Sequence, residues 1–223
     1  MQRIAQVIVM WAVFMLAGCD QAAHVPLVPQ AIVGTKAVIR AHGKDLSLEV
    51  TDVAEKIVTT ELSDWNGELV AQRHFYRGLY PVAGTEGTNQ WELEFDHAKL
   101  ESLFPLSVGK ETSFTGNMRD ISSGKTYEFW VNLTVAGETP FTLPDGTYTS
   151  YVVDIVTKYA WNGEMRRKNE VVYYAPEFSM NLKGVMQEAT SQRYWRVISL
   201  ERPGQASSRP NSGRQRSSGT VMI

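Results

Sequence analysis

Reactive side chains are few in this 223-residue chain: one thiol, Cys19, and four imidazoles, His24, His42, His74 and His97. No two histidines stand at a metal-ligand spacing such as H-E-x-x-H, and a lone cysteine supplies no second thiolate. No G-x-S-x-G elbow, phosphate-cradling glycine loop or dinucleotide fingerprint occurs. We therefore expect no metal, no cofactor and no catalytic residue marked by a motif. A Ser/His/acid triad is defined by geometry, so a hydrolase stays open, with His74 and His97 as the imidazoles that would serve it.

Binding chemistry is better represented than reaction chemistry. Arg73-His74-Phe75-Tyr76-Arg77 alternates basic and aromatic groups. On a strand this puts Arg73, Phe75 and Arg77 on one side, a cation–π and hydrogen-bonding site for an anionic or sugar ligand. The plainer reading is an ordinary two-faced strand. Trp130 interrupts the polar side of the best alternating segment, where a concave face could take an acyl chain, a glycan or a peptide. Its plainer reading is second-layer core beneath a helix or loop. The run Glu164-Met165-Arg166-Arg167-Lys168 reads as a solvated hairpin edge.

Positioning those residues needs strands, and strands are what the pattern gives. Tyr127, Phe129, Val131, Leu133 and Val135 alternate with Glu128, Trp130, Asn132, Thr134 and Ala136. Turn pairs recur at Asn66-Gly67, Ser123-Gly124, Asp145-Gly146 and Asn162-Gly163. Segments rich in β-branched and aromatic residues predict further strands over 35–40, 46–50, 55–64, 69–75, 90–95, 111–117, 147–160, 165–175, 181–189 and 193–201. Asp96 can cap a helix over 97–104 that Pro105 stops. The expected class is all-β with minor α: a curved antiparallel sheet, half-open or closed and barrel-like, or a sandwich, with one short helix. A division into two sub-domains near 102–109 is left open.

The ends differ from this body. After Met1-Gln2-Arg3, an apolar run from Ile4 to Leu16 is broken only by Gln6. As a helix it would span about 20 Å, too short for the ~30 Å hydrocarbon core, so it reads as a signal helix. Leu16-Ala17-Gly18-Cys19 then resembles the lipobox of bacterial lipoproteins. That resemblance implies cleavage after Gly18, recognition through Leu16, Ala17 and Gly18, and acylation of Cys19, which inserts in membrane lipid. Asp20 resembles the sorting residue that keeps enteric lipoproteins in the inner membrane. The implied location is a bacterial membrane facing the periplasm or the exterior.

The expected organisation is therefore a signal peptide over 1–18, an acylated Cys19 and flexible tether to 35, a β domain over 36–202, and a disordered Ser/Gly/Arg tail over 203–223. The tail carries Arg209, Arg214 and Arg216 and no acid, while residues 19–202 hold 18 basic and 24 acidic side chains, a net of −6. A formal net charge of −2 for the whole chain gives no pull towards nucleic acid.

Three stretches, 103–110 (LFPLSVGK), 142–148 (TLPDGTY) and 173–178 (YYAPEF), resemble a pattern in β-rich envelope domains of unknown function. The likeness covers Glu101 to Arg202 and departs at Phe178-Ser179, where such domains more often have an aliphatic residue and Gly. It implies a curved antiparallel sheet and brings no catalytic residue. The expected role is a non-enzymatic, lipid-anchored binding or assembly module that meets an envelope protein or an amphiphile on an aromatic-lined sheet face. The alternatives are a half-barrel carrier of lipid or lipoprotein, and an envelope hydrolase. A deep apolar cavity with a helical lid would favour the carrier.

Overall fold

The structure, a computed structural model, describes residues 28–161 and 163–204. The expectations for the signal helix, Leu16, Ala17, Gly18, Cys19, Asp20, Asn162 and the tail from 205 lie outside the described residues. Twelve strands follow one another: β1 Lys36–Ala41, β2 Lys44–Ala54, β3 Ile57–Ser63, β4 Leu69–Tyr76, β5 Tyr80–Glu86, β6 Asn89–Phe95, β7 Glu111–Asp120, β8 Lys125–Leu143, β9 Gly146–Trp161, β10 Glu164–Ala175, β11 Met180–Glu188 and β12 Ser191–Glu201. One helix, α1 His97–Glu101, sits between β6 and β7. Each strand pairs antiparallel with the next, and β1 pairs with β12, so the meander closes into a barrel. Closure removes both sheet edges. It also resolves the half-open and sandwich options.

Alternation along each strand sets inside and outside. On β8 the side chains of Phe129, Val131, Leu133 and Val135 point inward and are buried, while Glu128, Asn132 and Thr134 face out. The outer wall is charged: Arg40 holds Asp45 through two bonds of 2.7 and 2.9 Å, and Lys36 meets Glu49 at 3.3 Å. That is the inverse of a membrane-spanning barrel, whose outer band is apolar. The barrel is built to stand in water.

Two departures have local causes. β5 lies in a stretch that predicts no strand, because Pro81 and Gly84 look like breakers. Gly84 is there for proximity: a Cβ would stand 2.7 Å from the Gln72 carbonyl and 3.3 Å from Trp91. The turn between β2 and β3 also escapes the pattern, since Glu55 takes φ 51° without a glycine. Of the four turn glycines, Gly67, Gly124 and Gly163 adopt positive φ; Gly146 does not.

Eight strands enclose about the width that side chains can fill, so twelve leave space. One end is filled by the β6–β7 connection. Asp96 Oδ1 accepts from Ala98 N at 2.9 Å and starts α1, as expected, but the helix ends at Glu101 rather than Phe104. Tight turns through Leu103 N to Leu100 O (3.1 Å) and Phe104 N to Glu101 O (2.9 Å) swing the chain inward. Leu100, Leu103, Phe104 and Leu106 then bury against Tyr76, Leu79, Phe114 and Leu133. Residues 102–109 thus form a plug joining neighbours within one barrel.

Both ends of the described chain lie at this plugged end, where β1 begins and β12 finishes. Gln30 N donates to Ser179 Oγ at 2.6 Å, Gly34 N donates to Val50 O at 2.8 Å, and Thr35 is buried. The tether expected as far as residue 35 is corrected over its last part: the chain is seated on the barrel from Gln30 onward.

Arg77 locks the plug. It was expected on the strand face beside Arg73 and Phe75. Instead β4 stops at Tyr76, and Arg77 turns at φ 48° into the closed end, 3% exposed. Its Nη2 and Nε meet the two Glu101 oxygens at 2.6 and 3.0 Å, and its guanidinium lies 4.9 Å from the Phe104 ring centre. Tyr76 Oη donates to Glu101 at 2.5 Å, and Lys56 Nζ stands 3.3 Å away. Burial alone would raise the Glu101 pKa, but the hydrogen bonds from Arg77 and Tyr76 outweigh it and hold the carboxyl at about 2.

A depressed acid stabilises the fold above its unfolded pKa near 4.5 and loses that contribution as pH falls towards 2. We expect Glu101→Gln to cost on the order of 2 kcal/mol at pH 7, allowing for partial exposure of the carboxylate. Urea midpoints of the two proteins should converge between pH 4.5 and pH 2; a gap independent of pH would refute the assignment.

Candidate ligand-binding cavity

Opposite the plug's packing, the interior beside β1–β4 is left unfilled. Inward positions here carry medium and small apolar side chains: Ile39 and Ala41 on β1, Leu46 and Leu48 on β2, Val58 and Leu62 on β3, Ala71 and Phe75 on β4. Trp195 on β12 completes this wall. Together they surround a cavity of about 210 Å³. Its floor is Gly78, Leu79, Ser179, Met180 and Asn181 at the plugged end. The space equals roughly seven waters at the ~30 Å³ each takes in the liquid, enough for a short alkyl chain. Buried apolar walls of this kind contribute about 25 cal/mol per Å² of ligand surface they dehydrate.

Above this floor the inward face becomes polar. Arg73 follows Phe75 towards the far end, and Glu170 shares an inward face with Val172 and Tyr174. Arg73 pairs with Glu86 at 3.6 Å and Glu170 with Lys168 at 3.6 Å. Tyr159 Oη bonds Glu188 in the same rim. The Arg73 side chain is 42% exposed although it points inward, so water enters from the end away from the plug. Apolar pocket below and paired charges above is the arrangement that suits an amphiphile.

Tyr80 lies in the packed part of the interior, edge-on to Phe95 and Phe114. Burial, seconded by the Glu170 carboxylate, pushes its phenol far above the usual range, while a hydrogen bond with Thr157 works the other way. It is a neutral hydroxyl at any working pH. At the floor, Asn181 Nδ2 donates to Leu79 O at 2.8 Å, whereas its buried Oδ1 has no partner among the described residues.

The structure separates the residues that the sequence singles out. Arg73 and Phe75 lie together on the cavity wall. Arg77 belongs to the plug. Trp130 stands on the outer wall, with Lys158 Nζ 5.0 Å from its ring centre, beside a shallow groove formed by Asp96, Lys99, Ser113 and Thr115. It lines that groove on the outside of the barrel and not the interior. His74 Nδ1 sits 3.0 Å from Thr59 Oγ1, and the His97 ring packs on Phe95 and Tyr76 at 4.6 and 5.5 Å. Among the described residues neither imidazole forms an ion pair with a carboxylate, so the pair a hydrolase would use is not assembled from them. The sequence reading missed Glu170, Trp195, Leu46 and Leu48. The signal for the two leucines was present, since Leu46, Leu48 and Val50 alternate along β2.

No family model matches the sequence, and no curated protein does. Among solved structures, the hypothetical lipoprotein YmcC from Escherichia coli is 9% identical and superposes with a TM-score of 0.52, over 86% of this chain and 93% of that one. A protein of Bacteroides fragilis named as exported and of YmcC-like fold is 12% identical, with a TM-score of 0.48 over 78% of this chain and 98% of that one. One of Parabacteroides distasonis named as a lipoprotein is 13% identical, with a TM-score of 0.42 over the same shares. The first of these shows a shared fold.

Proposed function

We propose that the chain is a lipid-anchored envelope protein whose barrel holds a small amphiphile, tail in the cavity and polar group at the charged rim. The observation that carries this is the unfilled apolar interior under Arg73, Lys168 and Glu170. It favours the carrier over a module that binds on an outer aromatic face, because the cavity is apolar and Trp130, on the outer wall under Lys158, takes no part in it. The carrier is a closed barrel, not a half-barrel. Support for the anchor is the Leu16-Ala17-Gly18-Cys19 box, and the shared fold with a protein named as a lipoprotein agrees with it.

Titration of the purified protein with decanoate, followed by calorimetry, tests the cavity. Ala71 is buried on the cavity wall, and Ala71→Leu puts side-chain carbons where the alkyl chain would lie. Displacing two ligand methylenes at about 0.8 kcal/mol each should weaken binding roughly ten-fold. Trp130→Phe, on the outer wall, should leave affinity unchanged. Equal effects of the two variants, or no heat with decanoate, would remove the cavity reading.

A further inference from the structure

The barrel has a direction, and the anchor fixes which way it faces. Resting on the reading of Cys19 as the acylated residue, we infer that the plugged end lies against the lipid surface and the cavity mouth opens away from it. Only nine residue steps separate Cys19 from Val28, the first described residue, so covalent geometry limits that link to roughly 30 Å. From Gln30 the chain is pinned to Ser179 and Val50 at the plugged end. Turning the barrel over would require the link to climb the outer wall, itself roughly 20–25 Å high, at nearly full stretch.

Two further features of that end match a lipid surface. Val28, Ile32, Val33 and Val108 are all exposed there, between 45% and 61%; Trp65, Leu69 and Met165 are exposed at the far end as well, so it is the short link to Cys19 that sets the direction. Apolar side chains of this kind enter the headgroup boundary at little cost once an anchor holds the body close. The charge agrees. Arg202, paired with Glu177 at 2.9 Å, closes the fold at the same end, and the sequence that follows carries Arg209, Arg214 and Arg216 without an acid. The basic tail thus leaves from the end at which the described chain also begins, and anionic headgroups attract arginine. At the far rim Arg73 pairs with Glu86 and Lys168 with Glu170. A ligand enters or leaves on the side remote from the anchoring membrane. The chemistry is that of a receptor handing an amphiphile to, or taking it from, a partner across the aqueous space.

The test uses the full chain with its native acyl groups, in vesicles of phosphatidylethanolamine and phosphatidylglycerol containing nitroxide-labelled lipid. A single thiol is placed at the plugged end by Val108→Cys or at the far end by Met165→Cys, both exposed positions, and labelled with an environment-sensitive dye. Lipid-borne nitroxide should quench the Val108 label several-fold more than the Met165 label. Changing Arg209, Arg214 and Arg216 to Glu should reduce quenching at Val108 while the protein still floats with the vesicles. Flotation with equal or reversed quenching would overturn the orientation alone. Failure to float would overturn the anchor, and the orientation with it.

Discussion

Cys19→Ala, in a chain whose residues 1–18 are exchanged for a cleavable signal peptide without a lipobox, should move the protein almost completely from the membrane pellet to the soluble fraction. The expectation follows from what the rest of the molecule lacks and what the thioether would supply. Among the described residues no helix is long and apolar enough to cross a membrane, and the barrel wall is charged on the outside. Burying that wall in hydrocarbon would strip water from Lys36, Arg40, Asp45 and Glu49. One myristoyl-length chain gives only marginal, reversible binding, at about 10⁴ M⁻¹, whereas a second chain adds about 0.8 kcal/mol for each further buried methylene and makes the hold stable. Removing the sulfur removes all the chains together. The exposed valines and Ile32 give a weak residual contact that high salt and dilution should release. Membrane fractionation with immunodetection reads the result. A Cys19→Ala protein that stays in the pellet through a high-salt wash would show that attachment does not depend on position 19.

What the sequence made legible was local. The run from Tyr127 to Val135 shows its buried face because alternation is a property of neighbours, and Asp96 with Pro105 frames a helix for the same reason. Closure is a different matter. It depends on β1 meeting β12, with Lys36 opposite Glu201 and Ala37 opposite Leu200, and nothing in either segment names the other. The cavity is less legible still, since Leu48, Phe75, Glu170 and Trp195 reach one space from four separate strands. Arg77 shows how one residue can shift a site. The strand pattern carries it onto the face of Arg73 and Phe75, but Arg77-Gly78 is a turn, both residues at positive φ, and the side chain leaves the wall for the plug. Trp130 falls on the polar side of β8, as alternation places it, and is half-buried there rather than a second layer of core. Lys158, opposite it on β9, covers the ring from solvent instead.

That same turn carries the largest expected loss of stability. Gly78→Ala should cost more than about 4 kcal/mol, in the range reserved for a steric fault in the core. Gly78 adopts φ +73°, and a Cβ there would stand 1.6 Å from the Ser179 carbonyl oxygen. Ser179, itself at φ 45°, belongs to the β10–β11 turn, so two loops about a hundred residues apart meet backbone to backbone. Neither can retreat. Arg77 N donates to Lys56 O at 2.6 Å, Tyr174 Oη donates to Arg77 O at 2.7 Å, and Asn181 Nδ2 holds Leu79 O at 2.8 Å. The contact also makes the cavity floor, which explains why the space stops where it does. Gly124→Ala is the matched control: its φ is +71°, but nothing lies within 4 Å of the added carbon. The backbone conformation alone should cost it about 1–2 kcal/mol. At roughly 2–4 °C per kcal/mol for a domain of this size, thermal melting should separate the two by about 5–10 °C or more. Equal melting temperatures would mean that the two turns do not touch, and the cavity would then have no floor at Gly78.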